Sequence, residues 1–165
     1  MTEAHILLLF HDNPFGVAAR GVKWVFSMCE TVHFIGLCIL VGALLIFDLR
    51  MMGVLRRGSM KSALNYTHMA AFGLSLNVAS GFILFSSNPK NYWTNPAFRL
   101  KMCLVIIAIL NVVWFEVVER RKVLAMVEGA DTDADTKLVA GLSLILWTGI
   151  IVCGRWLPVT ALGGG

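Results

Sequence analysis

Three ionisable residues, Glu30, His33 and Asp48, lie within one long apolar stretch in the first third of the chain. An ionisable side chain inside a membrane helix is costly to bury, so each is a candidate functional residue. On a helix, His33 falls about 60° from Glu30, and Asp48 returns to the azimuth of Glu30. The spacing predicts one polar stripe that faces a bundle interior or a water-filled cleft, with Phe34 and Leu45 on the opposite, lipid-facing side.

His33 lies about 16 Å along this helix from its outer end, close to the middle of a membrane. A buried imidazole at that depth can bind a metal or haem, relay protons, or form a structural hydrogen bond to Glu30 or Asn77. A second histidine, His68, points about 180° away from Asn77 and lies about 15 Å from His33 in depth. We therefore expect His68 to bind a second haem, contact a neighbouring subunit or reach the membrane interface, rather than share one haem with His33.

Two cations, Lys101 and Arg155, lie near the outer ends of the last two apolar stretches. Long basic side chains at such positions often extend to the lipid headgroups. Alternatively, the pair holds an anionic ligand above His33, and the two propionates of a b-type haem would suit it. The sequence leaves both interpretations open.

The elements that must position these residues are four apolar segments, at 24–49, 64–85, 98–118 and 138–159. Each reaches the roughly 20 residues that cross a bilayer core as a helix. Of the 165 residues, 58% are hydrophobic and 15% are charged, whereas soluble domains carry about 25% charged residues. Because backbone groups in lipid must pair within their own segment, we predict an all-α, four-transmembrane-helix bundle that forms one integral membrane domain over residues 1–165.

The segments between the spans carry their own local signals. We interpret residues 1–21 as a short N-terminal segment that lies along the membrane surface, and residues 86–95 as a polar loop. Asn95 and Pro96 form a typical helix start, with Asn as the cap and Pro in the first turn. We interpret the acidic stretch 128–135 as a linker that caps the last helix. The small residues Gly73, Ser80 and Gly81 of the second span lie on one side and predict close helix packing.

The charge distribution fits a membrane protein and argues against nucleic-acid binding, since the basic residues flank apolar segments and form no stripe. Of the 14 Lys and Arg residues, eight lie in the first and third inter-span turns. This bias predicts that both termini face the outside. The four cysteines lie in apolar segments without a C-x-x-C motif, which is typical of small buried apolar side chains.

Two short motifs resemble those of a widespread family of uncharacterised bacterial four-helix membrane proteins: Glu30-Thr31-Val32-His33-Phe34-Ile35-Gly36, and Asn95-Pro96-x-Phe98-x-x-Lys101. More distantly, the layout is similar to the haem-binding membrane protoporphyrinogen oxidases (HemJ type) and to copper-resistance membrane proteins of the CopD type. The resemblance implies a redox or haem role, with His33 at the matching ligand position and Lys101 at the matching basic position.

We therefore expect a b-type haem protein of the bacterial inner membrane, with both termini periplasmic, that transfers electrons or oxidises a small molecule. His33 would be an axial ligand, Lys101 and Arg155 would hold propionates, and Glu30 would orient the imidazole or carry protons. Asn77 and His68 are further candidate cofactor contacts, with His68 a second possible iron ligand.

The expected partners are the lipid bilayer, a quinone or redox protein, and further subunits in a homo-oligomer or larger complex. Two alternatives stay open. One is a non-catalytic subunit of a membrane complex. The other is a proton-coupled metal or ion transporter, with Glu30, His33 and Asp48 as its path.

Overall fold

The fold was obtained as a computed structural model that describes residues 3–55, 60–125 and 131–162, with side chains at 7–55, 62–125 and 131–160. All regular structure in these ranges is helical. The helices are α1 (Glu3–His11), α2 (Pro14–Gly21), α3 (Lys23–Met51), α4 (Met60–Ser87), α5 (Pro89–Thr94), α6 (Pro96–Trp114), α7 (Arg120–Ala125) and α8 (Ala134–Leu162), with a π-helical turn at Phe115–Glu119 between α6 and α7.

Four helical stretches are long and apolar enough to cross a membrane: Lys23–Met51, Ser62–Ser87, Pro96–Ala125 and Ala134–Thr160. They confirm the four predicted spans and extend each by a few residues. The third extends furthest, because Glu116 pairs with Arg120 at 2.6 Å and Glu119 with Lys122 at 3.0 Å, which carries the helix into a charged inner end. The chain is a multi-pass membrane protein with an all-α fold.

The spans pack as two pairs, α3 against α4 and α6 against α8, and α3 and α8 join the pairs. The α3–α4 contact is closest at Gly36 and Gly73. A Cβ at Gly73 would lie 2.6 Å from the backbone nitrogen of Leu40, and one at Gly36 would lie 2.7 Å from Asn77 Nδ2. The predicted small-residue packing face of the second span is therefore confirmed, because only glycine permits this approach.

In contrast, α4 and α6 make little contact with each other over the described residues. The bundle is held together along three sides and is loose along the fourth. This looseness creates the cavity described below.

The outer end of the bundle is built from the short helices and their caps. Asn13 caps α2 by accepting from Gly16 N at 2.8 Å, and its amide donates to Ser86 Oγ at 3.0 Å. Asn95 caps α6 by accepting from Ala97 N at 2.9 Å, as the sequence predicts, and donates to the Leu157 carbonyl at 3.0 Å. Residues 86–95 are not simply a loop, because Pro89 starts the short helix α5 within them.

At the inner end, Asp133 lies immediately before α8 and accepts from Thr136 N at 3.1 Å, which confirms the capping role expected of the acidic linker. Other parts of the predicted inner turns, residues 56–59 and 126–130, lie outside the described residues, as does the Gly163–Gly165 tail.

A layer of apolar side chains fills the centre of the bundle. Its buried members are Leu40, Ala43, Leu44, Ala70, Ala108, Leu146, Trp147 and Ile150. On α3 this layer lies between His33 and Asp48, so it divides the polar residues of the bundle into an outer and an inner group.

Candidate functional site

The outer group is centred on His33, whose half-buried ring lies between α3 and α4. Its Nδ1 lies 3.0 Å from Ser80 Oγ. Ser80 donates its own hydroxyl hydrogen to the Leu76 carbonyl at 2.6 Å, so its oxygen accepts from His33. This contact places the proton on Nδ1 and leaves the lone pair on Nε2, the form in which an imidazole binds a metal or accepts a proton.

The surroundings of His33 hold the ring in place. The backbone of Asn77 also lies close to the ring. A Cβ at Gly81 would lie 3.3 Å from His33 Cε1, so this glycine provides the room that the ring occupies. Sequence reasoning identified Ser80 and Gly81 only as packing residues; their spacing of three and four residues after Asn77, on the face that meets His33, is the signal for a second role.

Lys101 enters the outer group from α6. It is half-buried, its charge acts on His33, and its Nζ would lie 3.7 Å from a Cβ at Gly154 of α8. Lys101 is therefore within range of an electrostatic interaction with His33, and these are the two residues that matched the family motifs.

Glu30 is near this group but exposed on the bundle surface. No hydrogen bond between Glu30 and His33 occurs among the described side chains, and Ser80 orients the imidazole instead. The Glu30 carboxylate faces Tyr92 of α5, where burial and, to a lesser degree, this charge raise the pKa of the Tyr92 hydroxyl above its usual range.

Three other predicted site residues lie elsewhere. Arg155 is exposed, as a side chain that reaches the headgroups would be. The Asn77 amide donates to the Gly73 carbonyl of its own helix at 3.1 Å and lies against Gly36. His68 is exposed and lines a cavity in the inner half of the bundle, which His33 does not line.

This inner cavity is the second candidate site, with a volume of about 370 Å³. It lies where α4 and α6 separate, and α3 and α8 form its back wall. Its lining is mainly apolar and includes Phe47, Phe115 and Leu74. Its polar lining residues are Asp48, Thr67, His68, Asn111, Glu116, Arg120, Ser143 and Trp147.

Asp48 is the most buried polar residue of the cavity, with 2% of its surface exposed. Ser143 of α8 hydrogen-bonds its carboxyl group, and the other carboxylate oxygen, Oδ2, has no hydrogen-bond partner among the described residues. The indole Nε1 of Trp147 also lacks a partner there. The sequence predicts that Asp48 faces inward, and its burial confirms this prediction. Ser143 and Trp147 were not predicted as site residues, although their i, i+4 spacing places them on one face of the last span.

Neither group resembles a metal site built from several protein ligands. No cluster of three or more His, Cys, Asp or Glu side chains occurs within the described residues. The four cysteines are free, and only Cys153 is buried, while Cys38 and Cys103 are exposed on the bundle surface.

The chain was compared with known proteins. The family of unknown function DUF6644 matches residues 14–160. No curated protein and no solved structure matches the chain. The match begins at α2 and ends within the last turns of α8, so it includes all four spans, His33, Lys101 and the inner cavity. The chain therefore belongs to the DUF6644 family.

Proposed function

We propose that this protein is a b-type haem protein that transfers electrons or oxidises a small molecule within the bacterial inner membrane. The observation that carries the proposal is the contact between His33 Nδ1 and Ser80 Oγ. The Nδ1–H bond to Ser80 fixes the ring and leaves Nε2 with its lone pair, and histidines that bind metals almost always have their second ring nitrogen held in this way.

Lys101 adds a second element of support. A half-buried ammonium near the imidazole provides a counter-charge for an anionic group such as a haem propionate. A haem held there would supply one-electron chemistry. The protein would contribute the axial nitrogen of His33, the orienting hydroxyl of Ser80 and the positive charge of Lys101.

The partners and location form part of the same proposal. The electron partner would be a quinone or a redox protein, as the resemblance of the sequence motifs to HemJ-type and CopD-type proteins would imply. Both termini would face the periplasm, as the distribution of Lys and Arg suggests.

The exposed position of Glu30 supports a neighbouring subunit. Ionisable residues within membrane segments almost always face a bundle interior, a water-filled cavity or a partner. Glu30 lies about 10 Å along α3 from its beginning and is exposed on the isolated chain. We infer that a second copy or another subunit covers it, and extraction from native membranes in mild detergent tests this: a monomer without partners would contradict it.

The ion path suggested by Glu30, His33 and Asp48 receives less support from the geometry. The apolar central layer lies between His33 and Asp48, and a charge that crosses it would meet no polar side chain of that layer other than the indole of Trp147. For this reason a haem site at His33 is preferred to a transport path.

The test is the visible absorption spectrum of the protein purified from cells that are supplied with haem. We expect a Soret band in the wild type that is lost in His33→Ala and retained in His68→Ala, the matched histidine of the inner cavity. Ser80→Ala should keep the band but reduce haem occupancy, because the ring loses its orienting acceptor.

The result that would overturn the proposal is equally specific. A wild-type protein without a Soret band, or a His33→Ala variant that retains haem at the wild-type level, would show that His33 is not an axial ligand.

A further inference from the structure

The inner cavity opens sideways into the bilayer. Its lining includes His68, Ala71 and Val112, which are exposed on the outside of the bundle where α4 and α6 separate. A molecule dissolved in the membrane can therefore enter without passing through water. The volume of about 370 Å³ lies at the small end of the range for ligand pockets.

The polar wall of the cavity contains an acceptor and a donor that the protein leaves unused. Asp48 Oδ2 and Trp147 Nε1 are both buried without a partner among the described residues. Ser143, which hydrogen-bonds Asp48, lies one helical turn before Trp147 on α8, and all three residues line the cavity. A buried polar group without a hydrogen bond is costly, and two in one cavity indicate that an occupant supplies both bonds.

The remaining walls indicate the shape of that occupant. Phe47 and Phe115 meet edge to face, with ring centroids 5.0 Å apart, and Trp147 lies in the same cavity. Aromatic walls suit a planar ring, which they contact by stacking or edge-to-face packing. A ring hydroxyl can donate to a carboxylate and accept from an indole N–H at the same time.

We propose that this inner cavity binds a lipophilic quinol or phenol that enters from the bilayer, with its ring hydroxyl donating to Asp48 and accepting from Trp147. The ring lies among Phe47, Phe115 and Trp147, and the apolar tail leaves between α4 and α6. The inference stands on the cavity alone and does not depend on a haem at His33.

The test is the affinity of the protein in lipid nanodiscs for a radiolabelled decyl-substituted benzoquinol, compared with its dimethyl ether. The ether has the same ring and tail but no hydroxyl donor. We expect the wild type to bind the quinol at least about tenfold more tightly than the ether, the factor that corresponds to one hydrogen bond to a charged or buried group.

Variants locate the binding. Asp48→Leu should remove most of the preference for quinol over ether, since it removes the acceptor of the hydroxyl hydrogen. Trp147→Phe should weaken the binding of both ligands, since the ether oxygen also accepts from the indole N–H. Trp114→Phe is the matched control, because Trp114 is exposed and does not line the cavity. It should bind the quinol as the wild type does.

Two results would overturn the proposal. Equal affinity of the wild type for quinol and ether would mean that the cavity holds an acyl chain or another purely apolar group. An unchanged affinity for the quinol in Trp147→Phe, which retains an aromatic core side chain, would mean that the quinol binds elsewhere. Neither result bears on the absorption spectrum, so this proposal and the haem proposal fail separately.

Discussion

Glu30, His33 and Asp48 share one stripe of α3 but meet three different environments. Glu30 is exposed, His33 is half-buried against Ser80, and Asp48 is buried in the inner cavity. The difference arises because α4 crosses α3 at Gly36 and Gly73, next to His33, whereas α8 covers α3 nearer to Asp48. A shared azimuth therefore did not produce a shared site.

Asp133, just outside the last span, is the residue whose charge state gives a clear pH prediction. Thr136 donates to its carboxylate from both the hydroxyl and the backbone N–H, and these bonds, with a smaller contribution from Lys122, hold the Asp133 pKa below its usual range. A lowered folded-state pKa means that the charged form stabilises the fold above the unfolded-state pKa of about 3.9, and that this contribution disappears as the pH falls through the folded-state value.

We expect Asp133→Ala to lower the thermal unfolding temperature in detergent at pH 7 and to have progressively less effect below pH of about 4. The measurement is the difference in melting temperature between variant and wild type at several pH values. Asp135→Ala is the control, because Asp135 is exposed on the first turn of α8 and forms none of the described side-chain hydrogen bonds. A pH-independent difference for Asp133→Ala would contradict this assignment.

At the scale of elements, the crossing of α3 and α4 is the contact most sensitive to substitution. Gly36 and Gly73 allow backbone-to-backbone contact, and any side chain at Gly73 would collide with the backbone of α3 at Leu40 and Gly36. Since neither backbone can move aside as a flexible side chain can, the helices would have to separate.

We expect Gly73→Ala to destabilise the protein by about 1–3 kcal/mol, the usual cost of overpacking a well-packed interior. Thermal unfolding in detergent measures this. Gly42→Ala is a matched control on α3, because a Cβ there meets nothing within 4 Å, and it should leave the melting temperature unchanged or slightly raised. Equal effects of the two substitutions would show that the crossing is looser than the structure describes.

The π-helical turn at Phe115–Glu119 lies beside the inner cavity. Phe115 and Glu116 both line it, and the wider turn interrupts the regular repeat of α6 where the helix passes the cavity. Turns of this kind occur often at functional sites. It places the Phe115 ring edge to face with Phe47 of α3.

At the scale of the whole molecule, the described N-terminal helices and the end of α8 lie at one end of the bundle. Asn13 of the N-terminal region bonds Ser86, and Thr160 donates to Asn95 Oδ1 at 2.8 Å, so α1, α2 and the end of α8 meet the α4–α6 connection. The opposite end is held by Glu119, Lys122 and Thr136.

This arrangement predicts that both termini lie on one side of the membrane, and the charge bias favours the periplasm. Alkaline phosphatase fused to the C-terminus should be active, and the same enzyme fused after Ala125, at the end of α7, should be inactive. The reverse pattern would invert the orientation, while activity at both positions would contradict a chain with four spans.

Much of the fold could be predicted from the sequence because a bilayer imposes strict local requirements. Runs of about 20 apolar residues must be helical, since unpaired backbone groups are too costly in lipid. Helix caps act on neighbours in the sequence, as Asn95 with Pro96 and Asp133 do. The small residues around Gly73 act through their size alone. Their roles as caps and packing surface are therefore local properties that the sequence encodes directly.

The composition of the two sites was decided only by the tertiary structure. The way the helices cross decides that His33 pairs with Ser80 and that Lys101 acts on His33. It also decides that α4 separates from α6 around Asp48 and Trp147. Helical periodicity gives the direction of each side chain about its own axis but not which helix lies opposite. For this reason the sequence by itself determined four spans and one polar stripe, and helix packing divided that stripe into an outer histidine group and an inner cavity.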